Sequence, residues 1–243
     1  MGGDERLMDH AVADPRMRIE RHVFVTGGTG YIGRQLIPLL TSRGHLVRAL
    51  ARPGAEVRLP HGSIAITGNA LDGRTYSKFI SPADTFVHLV GVTHPGPSKA
   101  EQFRNVDRTS TIAAIEAAGG AGISHFVYLS VAHPAPVMKA YINVRMECET
   151  LLRSSGLNVT ILRPWYVLGP GHRWPYLLLP VYWVFEMIPF TRERALRLGL
   201  VTITRMVDAL AWAVENPCLP EGSERCVRLL DVPGIRALRL ASR

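Results

Sequence analysis

Lysine is scarce. Only Lys78, Lys99 and Lys139 stand among the 28 basic residues, and the arginines are scattered from Arg6 to Arg243. A net charge of +8 would suit a nucleic-acid surface, but the chain has no dense basic run and no aromatic-basic recognition motif. No nucleic-acid partner is therefore expected, and attraction to an anionic cofactor or anionic lipid explains the charge equally well. Cysteine is scarce too: Cys148, Cys218 and Cys226 are odd in number and far apart, with no CxxC pair and no Cys/His cluster of zinc spacing. They read as ordinary reduced thiols of a cytoplasmic protein, with no metal and no disulfide framework. Long hydrophobic runs are missing, so no transmembrane span is expected. The first twenty residues carry mixed charge around no apolar core, so 1–21 reads as a flexible leader and not as a signal peptide. What remains is an ordinary globular composition, 243 residues with 47% apolar and 20% charged. A chain of that length buries about 70% of its unfolded surface without covalent staples.

The apolar run Val23-Phe24-Val25 ends at Thr26 and opens a glycine-rich turn, Thr26-Gly27-Gly28-Thr29-Gly30-Tyr31-Ile32-Gly33. Ile32, Leu36, Ile37, Leu39 and Leu40 then recur at helical spacing up to Gly44, and Leu46–Leu50 is a second strand. The alternation continues with strands at Ser63–Thr67, Thr85–Val90, His125–Leu129 and Val159–Leu162, and with helices over Glu101–Ala118 and Val137–Ser155. This order predicts an α/β fold, a doubly wound parallel sheet with helices on both faces. Prolines 164, 170, 175, 180 and 189 then break an aromatic-rich stretch, before a helix at Thr202–Glu215 and a strand at Cys226–Leu230. Residues 22–163 read as a Rossmann domain, and 164–243 as a small C-terminal cap completing it.

The glycine turn carries the chemistry. Gly27 allows a tight exit from the strand, Gly30 lets a phosphate approach the backbone, and Gly33 lets the helix pack closely on the strand. The helix N-terminus then meets a pyrophosphate. A strand before and a helix after give the pattern the context it needs. NAD-specific sites place a carboxylate at the end of the second strand; here Leu50-Ala51-Arg52-Pro53 has none. Arg52, with Arg48 or Arg34 beside it, can fork onto a 2′-phosphate, so NADP is expected over NAD. Val90-Gly91-Val92 would pass beside the adenine ribose, with Gly91 permitting the approach.

The turn's spacing, Gly27-xx-Gly30-xx-Gly33, together with Asn69-Ala70-Leu71-Asp72, Asn105, Tyr128-Leu129-Ser130, Tyr141 and Leu162-Arg163-Pro164, resembles the short-chain dehydrogenase/reductase superfamily. The likeness runs from about Arg21 to Asn216. It is strongest to the atypical, extended-type branch that includes NmrA-like proteins and the Rossmann-fold accessory subunit of respiratory complex I. The resemblance implies that Asn69 and Ala70 meet the adenine and that the backbone after Pro164 holds the nicotinamide carboxamide. It also implies a Ser, Tyr and Lys set, in which the phenol exchanges a proton with a carbonyl or alcohol oxygen. Ser130 and Tyr141 fill two of these places, but Tyr141-xxx-Arg145 has arginine at the lysine position. Arg145 can bind ribose hydroxyls and favour a phenolate, yet it cannot relay a proton. Lys139 lies two residues from Tyr141, about 200° around the helix, and is no substitute.

Two classes stay open. One is an NADP(H)-dependent oxidoreductase acting on a small carbonyl or alcohol. The other is a non-catalytic NADP(H)-binding sensor or structural subunit. Nucleotide-sugar epimerisation ranks below both, because the region after the sheet is short. His94, His133, Tyr166, His172 and Trp174 are substrate contacts or loop residues. The apolar stretch Trp174–Phe190 is first lid packing, and otherwise a wall for an apolar substrate, a dimer contact or a peripheral membrane contact. The two long helices form the usual dimer surface in orthodox members of the superfamily, so a homodimer is possible.

Overall fold

The computed structural model describes residues 19–92, 96–135, 137–170, 199–219 and 225–238. Its strands are β1 (His22–Thr26), β2 (Leu46–Ala51), β3 (Ser63–Thr67), β4 (Thr85–His88), β5 (His125–Leu129), β6 (Val159–Leu162), β7 (Tyr166–Leu168), β8 (Leu200–Thr202) and β9 (Val227–Leu230). The main sheet runs β3-β2-β1-β4-β5-β6-β9, parallel throughout, while β7 and β8 form a small parallel pair of their own. The strand order reverses between β1 and β4, which opens a crevice at their carboxyl ends.

Both faces of the central strands β1, β4, β5 and β6 are covered, which is why they read as apolar runs and not as alternating ones, whereas the edge strands β3 and β9 stay partly exposed. On one face pack α1 (Gly33–Ser42), α4 (Ile203–Glu215) and α5 (Val232–Ala237), joined in a core that includes Val25, Leu36, Leu40, Met206, Leu210 and Ile235. On the other pack α2 (Thr109–Gly120) and α3 (Lys139–Ser154). There Phe24, Phe86 and Phe126 stand in register across β1, β4 and β5, with ring centroids 5.3 and 5.0 Å apart. Such pairs add about 1 kcal/mol each beyond area burial. Arg43, just past α1, bonds Glu215 at 3.0 Å and lies 3.4 Å from Asp208, clamping α1 to α4.

Several expectations need correction. The fourth strand stops at His88, short of Val90. The helix expected over 101–118 is not uniform: an α turn at Ala100–Gln102 leads into a π segment, Phe103–Arg108, before α2. The helix expected from Val137 starts at Lys139, because Met138 takes a left-handed conformation (φ 57°). In the C-terminal region β9 is the edge strand of the main sheet and α4 covers one of its faces. Finally, Cys218 and Cys226 are not separate thiols. They form a disulfide across an eight-residue separation, with Cα atoms 5.5 Å apart. Pairing of β9 with β6 brings Cys226 back toward the end of α4, a meeting that linear spacing did not reveal. Cys148 is free and buried.

Candidate functional site

The glycine turn leaves β1 at the crevice. Leu89 N–H donates to the Thr26 carbonyl at 3.1 Å, so the chains leaving β1 and β4 run tightly together. Gly27 has φ +78°, and a Cβ there would stand 2.8 Å from the Leu89 carbonyl carbon. A Cβ on Gly33 would overlap the Gly27 carbonyl and stand 2.7 Å from Gly28 Cα. Gly30 differs: it is exposed, and a Cβ would approach only the Gly27 oxygen, at 3.1 Å. Its bare outer side is a backbone cradle. Thr29, Tyr31 and Ile32 are half-buried around it. Ile32, at the N-cap of α1, supplies no side-chain acceptor, and the first turn holds no acidic residue. A cradle with an uncapped helix end suits a pyrophosphate.

At the end of β2, Arg52 is exposed, as is Arg34 on α1. Arg48 does not join them, because its Nη1 donates to the Phe79 carbonyl at 3.1 Å. Asn69 is exposed, with its Oδ1 accepting from Leu71 N–H at 3.1 Å, and Ala70 is half-buried beside it. Asn105 is exposed on the outside of the π segment. The inward residue there is Asp107, which sequence reasoning missed.

Asp107 and Arg145 form an ion pair of 2.6 Å, with side chains 0% and 6% exposed. Arg145 Nη1 also donates to Tyr128 Oη (3.1 Å) and to the Leu129 carbonyl (3.0 Å). Its guanidinium stacks over the Tyr141 ring at 5.3 Å. Burial works against the Arg145 charge, but Tyr128, Tyr141 and Asp107 keep it protonated. Gly91 is required on its inner side by Arg145: a Cβ would run into the guanidinium. Tyr141 is half-buried and packs on Phe103 at 5.0 Å. Burial pushes its phenol above the usual range, against the pull of Arg145.

Ser130 follows β5 and is buried, and its Oγ donates to Glu149 Oε1 at 2.6 Å. That turns its one hydroxyl proton away from any substrate oxygen. Glu149, 1% exposed, also accepts from Arg163 Nε (2.9 Å) and Nη2, from Arg153 (3.2 Å), and lies 3.4 Å from His133 Nε2. Burial alone would raise this carboxyl, but the bonds from His133, Arg163 and Ser130 outweigh it and hold it at about 2. Glu149 was also missed, although Tyr141, Arg145 and Glu149 fall at four-residue steps on one helix face. Pro164 is buried and its carbonyl accepts from Ala132 N–H at 2.8 Å. Tyr166 is half-buried in β7. His94, His172, Trp174 and the whole stretch Trp174–Phe190 lie outside the described residues, as do residues 1–18.

Beneath the crevice, His88 is fully buried, 2.8 Å from Thr26 Oγ1 through Nδ1 and 3.4 Å from Ser110 Oγ through Nε2. Burial, aided by the Arg145 charge, lowers it to about 3, so it is neutral. Among the described residues no helix is long and apolar enough to cross a membrane.

A family model described as NAD(P)H-binding matches residues 27–172, more than half of the chain. The ceramide reductase of Caulobacter vibrioides is 28% identical over 151 residues, covering 61% of this chain and 47% of that protein. The photosystem II assembly factor Ycf39 of Synechocystis is 28% identical over 144 residues, covering 58% of this chain and 43% of that protein. The chain thus spans about half the length, or less, of these curated relatives. Among solved structures, the Bordetella bronchiseptica enzyme WbmH in complex with NAD+ matches with a TM-score of 0.62 at 20% identity, over 87% of each chain. That likeness is one of fold.

Proposed function

The chain belongs to the NAD(P)H-binding family within the short-chain dehydrogenase/reductase superfamily, and from that premise we propose that it is an NADP(H)-dependent oxidoreductase of a small carbonyl/alcohol couple, working in the reductive direction. The observation that carries the cofactor half is the open cradle at Gly30 before an uncapped α1, with exposed Arg52 and no carboxylate at the end of β2. Gly27, Thr29, Gly30, Tyr31, Ile32 and Gly33 would hold the pyrophosphate. Arg52 would face the 2′-phosphate, Asn69 and Ala70 the adenine, Val90 and Gly91 the ribose, and the chain after Pro164 the nicotinamide. When bound, the nicotinamide supplies the hydride.

Tyr141 suits the reductive half-reaction. A phenol kept protonated by burial is a proton donor, and a carbonyl oxygen receiving hydride at its carbon needs one. Arg145 favours the phenolate left behind, although it cannot reload it. The reduction therefore draws its next proton from solvent, without a lysine relay. Ser130, whose hydroxyl donates to Glu149, braces the site and is not the donor to substrate that its position suggests.

Calorimetry with NADPH and NADH tests the cofactor half. Micromolar NADPH with NADH at least tenfold weaker, a gap of about 1.4 kcal/mol, is expected. Equal affinities would overturn the 2′-phosphate assignment, and no binding of either would overturn the whole reading. A second reading, a non-catalytic NADP(H) sensor or assembly subunit, is favoured by one observation: the guanidinium at the lysine position is engaged by Asp107. Loss of NADPH absorbance with no member of an aldehyde and ketone panel, despite tight binding, would select it.

A further inference from the structure

Arg145 enters the chemistry above only as a charge beside the phenolate, Asp107 not at all, and the surroundings of the pair point to another task. Val92 N–H donates to Asp107 Oδ2 at 3.1 Å. Arg145 Nη2 lies 3.5 Å from the Val90 carbonyl oxygen. Between them, Gly91 leaves the gap that the guanidinium fills. The pair therefore holds three consecutive residues from below. Those residues need holding, because β4 stops at His88 and its register with β1 and β5 ends there. Val90–Val92 leave the sheet beside the crevice where the strand order reverses, the place where an open α/β sheet takes its ligand. Stability alone is a poor reason for the pair, since a buried ion pair is often matched or bettered by apolar packing of the same volume.

We propose that Asp107 is a positioning residue for the cofactor: through the Val92 amide and Arg145 it fixes the Val90-Gly91-Val92 backbone against which the adenosine half of NADP(H) packs. The inference rests on the NADP(H)-binding reading. It reassigns Arg145 from the ribose hydroxyls to the main chain beneath them. Arginine suits that place because its rigid fork sends Nη1 to Tyr128 and Leu129 and Nη2 toward Val90, whereas a lysine ammonium offers a single nitrogen.

Asp107→Asn keeps an acceptor for Val92 N–H and removes the charge facing Arg145. Calorimetry with NADPH and with 2′,5′-ADP, which lacks the nicotinamide half, should show both weakened at least tenfold and by similar factors. The Tyr141 phenol, followed by alkaline absorbance against Tyr141→Phe, should titrate at lower pH once the carboxylate no longer opposes Arg145. Unchanged affinity for both ligands would overturn the proposal, and so would weaker NADPH with unchanged 2′,5′-ADP. Should Asp107→Asn fail to fold, Arg145→Lys is the second variant. It keeps the charge and loses the fork, so 2′,5′-ADP affinity should fall. A rise in NADPH affinity would mean that the lysine has taken up an orthodox ribose contact and that the proposal is wrong. Wild-type protein that binds neither ligand would remove the functional reading itself, a result distinct from any of these.

Discussion

The Ser130 hydroxyl donates a hydrogen bond to Glu149 Oε1, 2.6 Å away and eight residues beyond Tyr141 on the same helix. The hydroxyl at the serine place of the Ser, Tyr and Lys set is thus part of a buried ionic cluster, closed by Arg163 and Arg153. Removing either end has different consequences. Glu149→Ala strands the buried face of Arg163 and should cost about 3–5 kcal/mol in chemical denaturation. Ser130→Ala leaves Glu149 its other donors and should cost only about 1–2 kcal/mol. Equal losses would mean that the cluster does not centre on Glu149.

Tyr141→Phe removes the proposed proton donor and leaves the glycine cradle intact. Turnover should fall at least tenfold, about 1.4 kcal/mol or more in barrier. NADPH affinity by calorimetry should stay within about twofold, roughly 0.4 kcal/mol. Because burial raises this phenol, the wild-type reductive rate should show no alkaline fall through the ordinary tyrosine range near pH 10. Undiminished turnover in the variant would remove Tyr141 from the mechanism.

Acid should act on the fold well above the carboxylate range. Burial lowers His88 to about 3 and His125 to about 4, from 6.5. Their folded values lie below the unfolded one, so their stabilisation is complete above pH 6.5 and fades as pH falls. By pH 5 each should cost on the order of 2 kcal/mol. Glu149, held at about 2 from 4.5, adds a second loss between those values, on the order of 3 kcal/mol when complete. Urea midpoints across this range should decline from pH 6.5 downward, and His88→Gln should flatten the upper part. A curve level down to pH 4.5 would contradict the buried, neutral histidines.

The disulfide is a separate test. Closing a loop of this length should contribute about 2–3 kcal/mol through the unfolded chain. Cys218→Ser should lower the urea-extrapolated stability by that amount, and added reductant should then change nothing further. No difference between the variant and the oxidised protein would show that the bond is not formed.

Much of this architecture is visible in the chain itself. Val23-Phe24-Val25 followed by the glycine turn places β1, α1 and the crevice, because an apolar run and a run of glycines constrain the backbone locally. The paired carboxylates were opaque for the opposite reason. Nothing in the linear sequence sets Asp107 and Glu149 apart from solvated helix charges, since acidic side chains are seldom buried unless paired. Their partners, Arg145 and Arg163, come from other elements and meet them only after the sheet is assembled. The four-residue step from Tyr141 to Arg145 to Glu149 was a usable signal, and so was the buried stripe Phe103, Asp107, Thr111 and Ala114. Arg48 misled because strand position says where a residue sits, while its Phe79 acceptor arrives from a crossover thirty-one residues later.

The edge strand β9 sets an order on biosynthesis. Val159–Leu162 is among the most deeply buried segments of the sheet, yet its outer hydrogen-bonding edge waits for Val227–Leu230. Until residue 230 has left the ribosome, the growing chain carries a bare β edge beside the incipient site. A chaperone or a second nascent chain can pair with such an edge before β9 does.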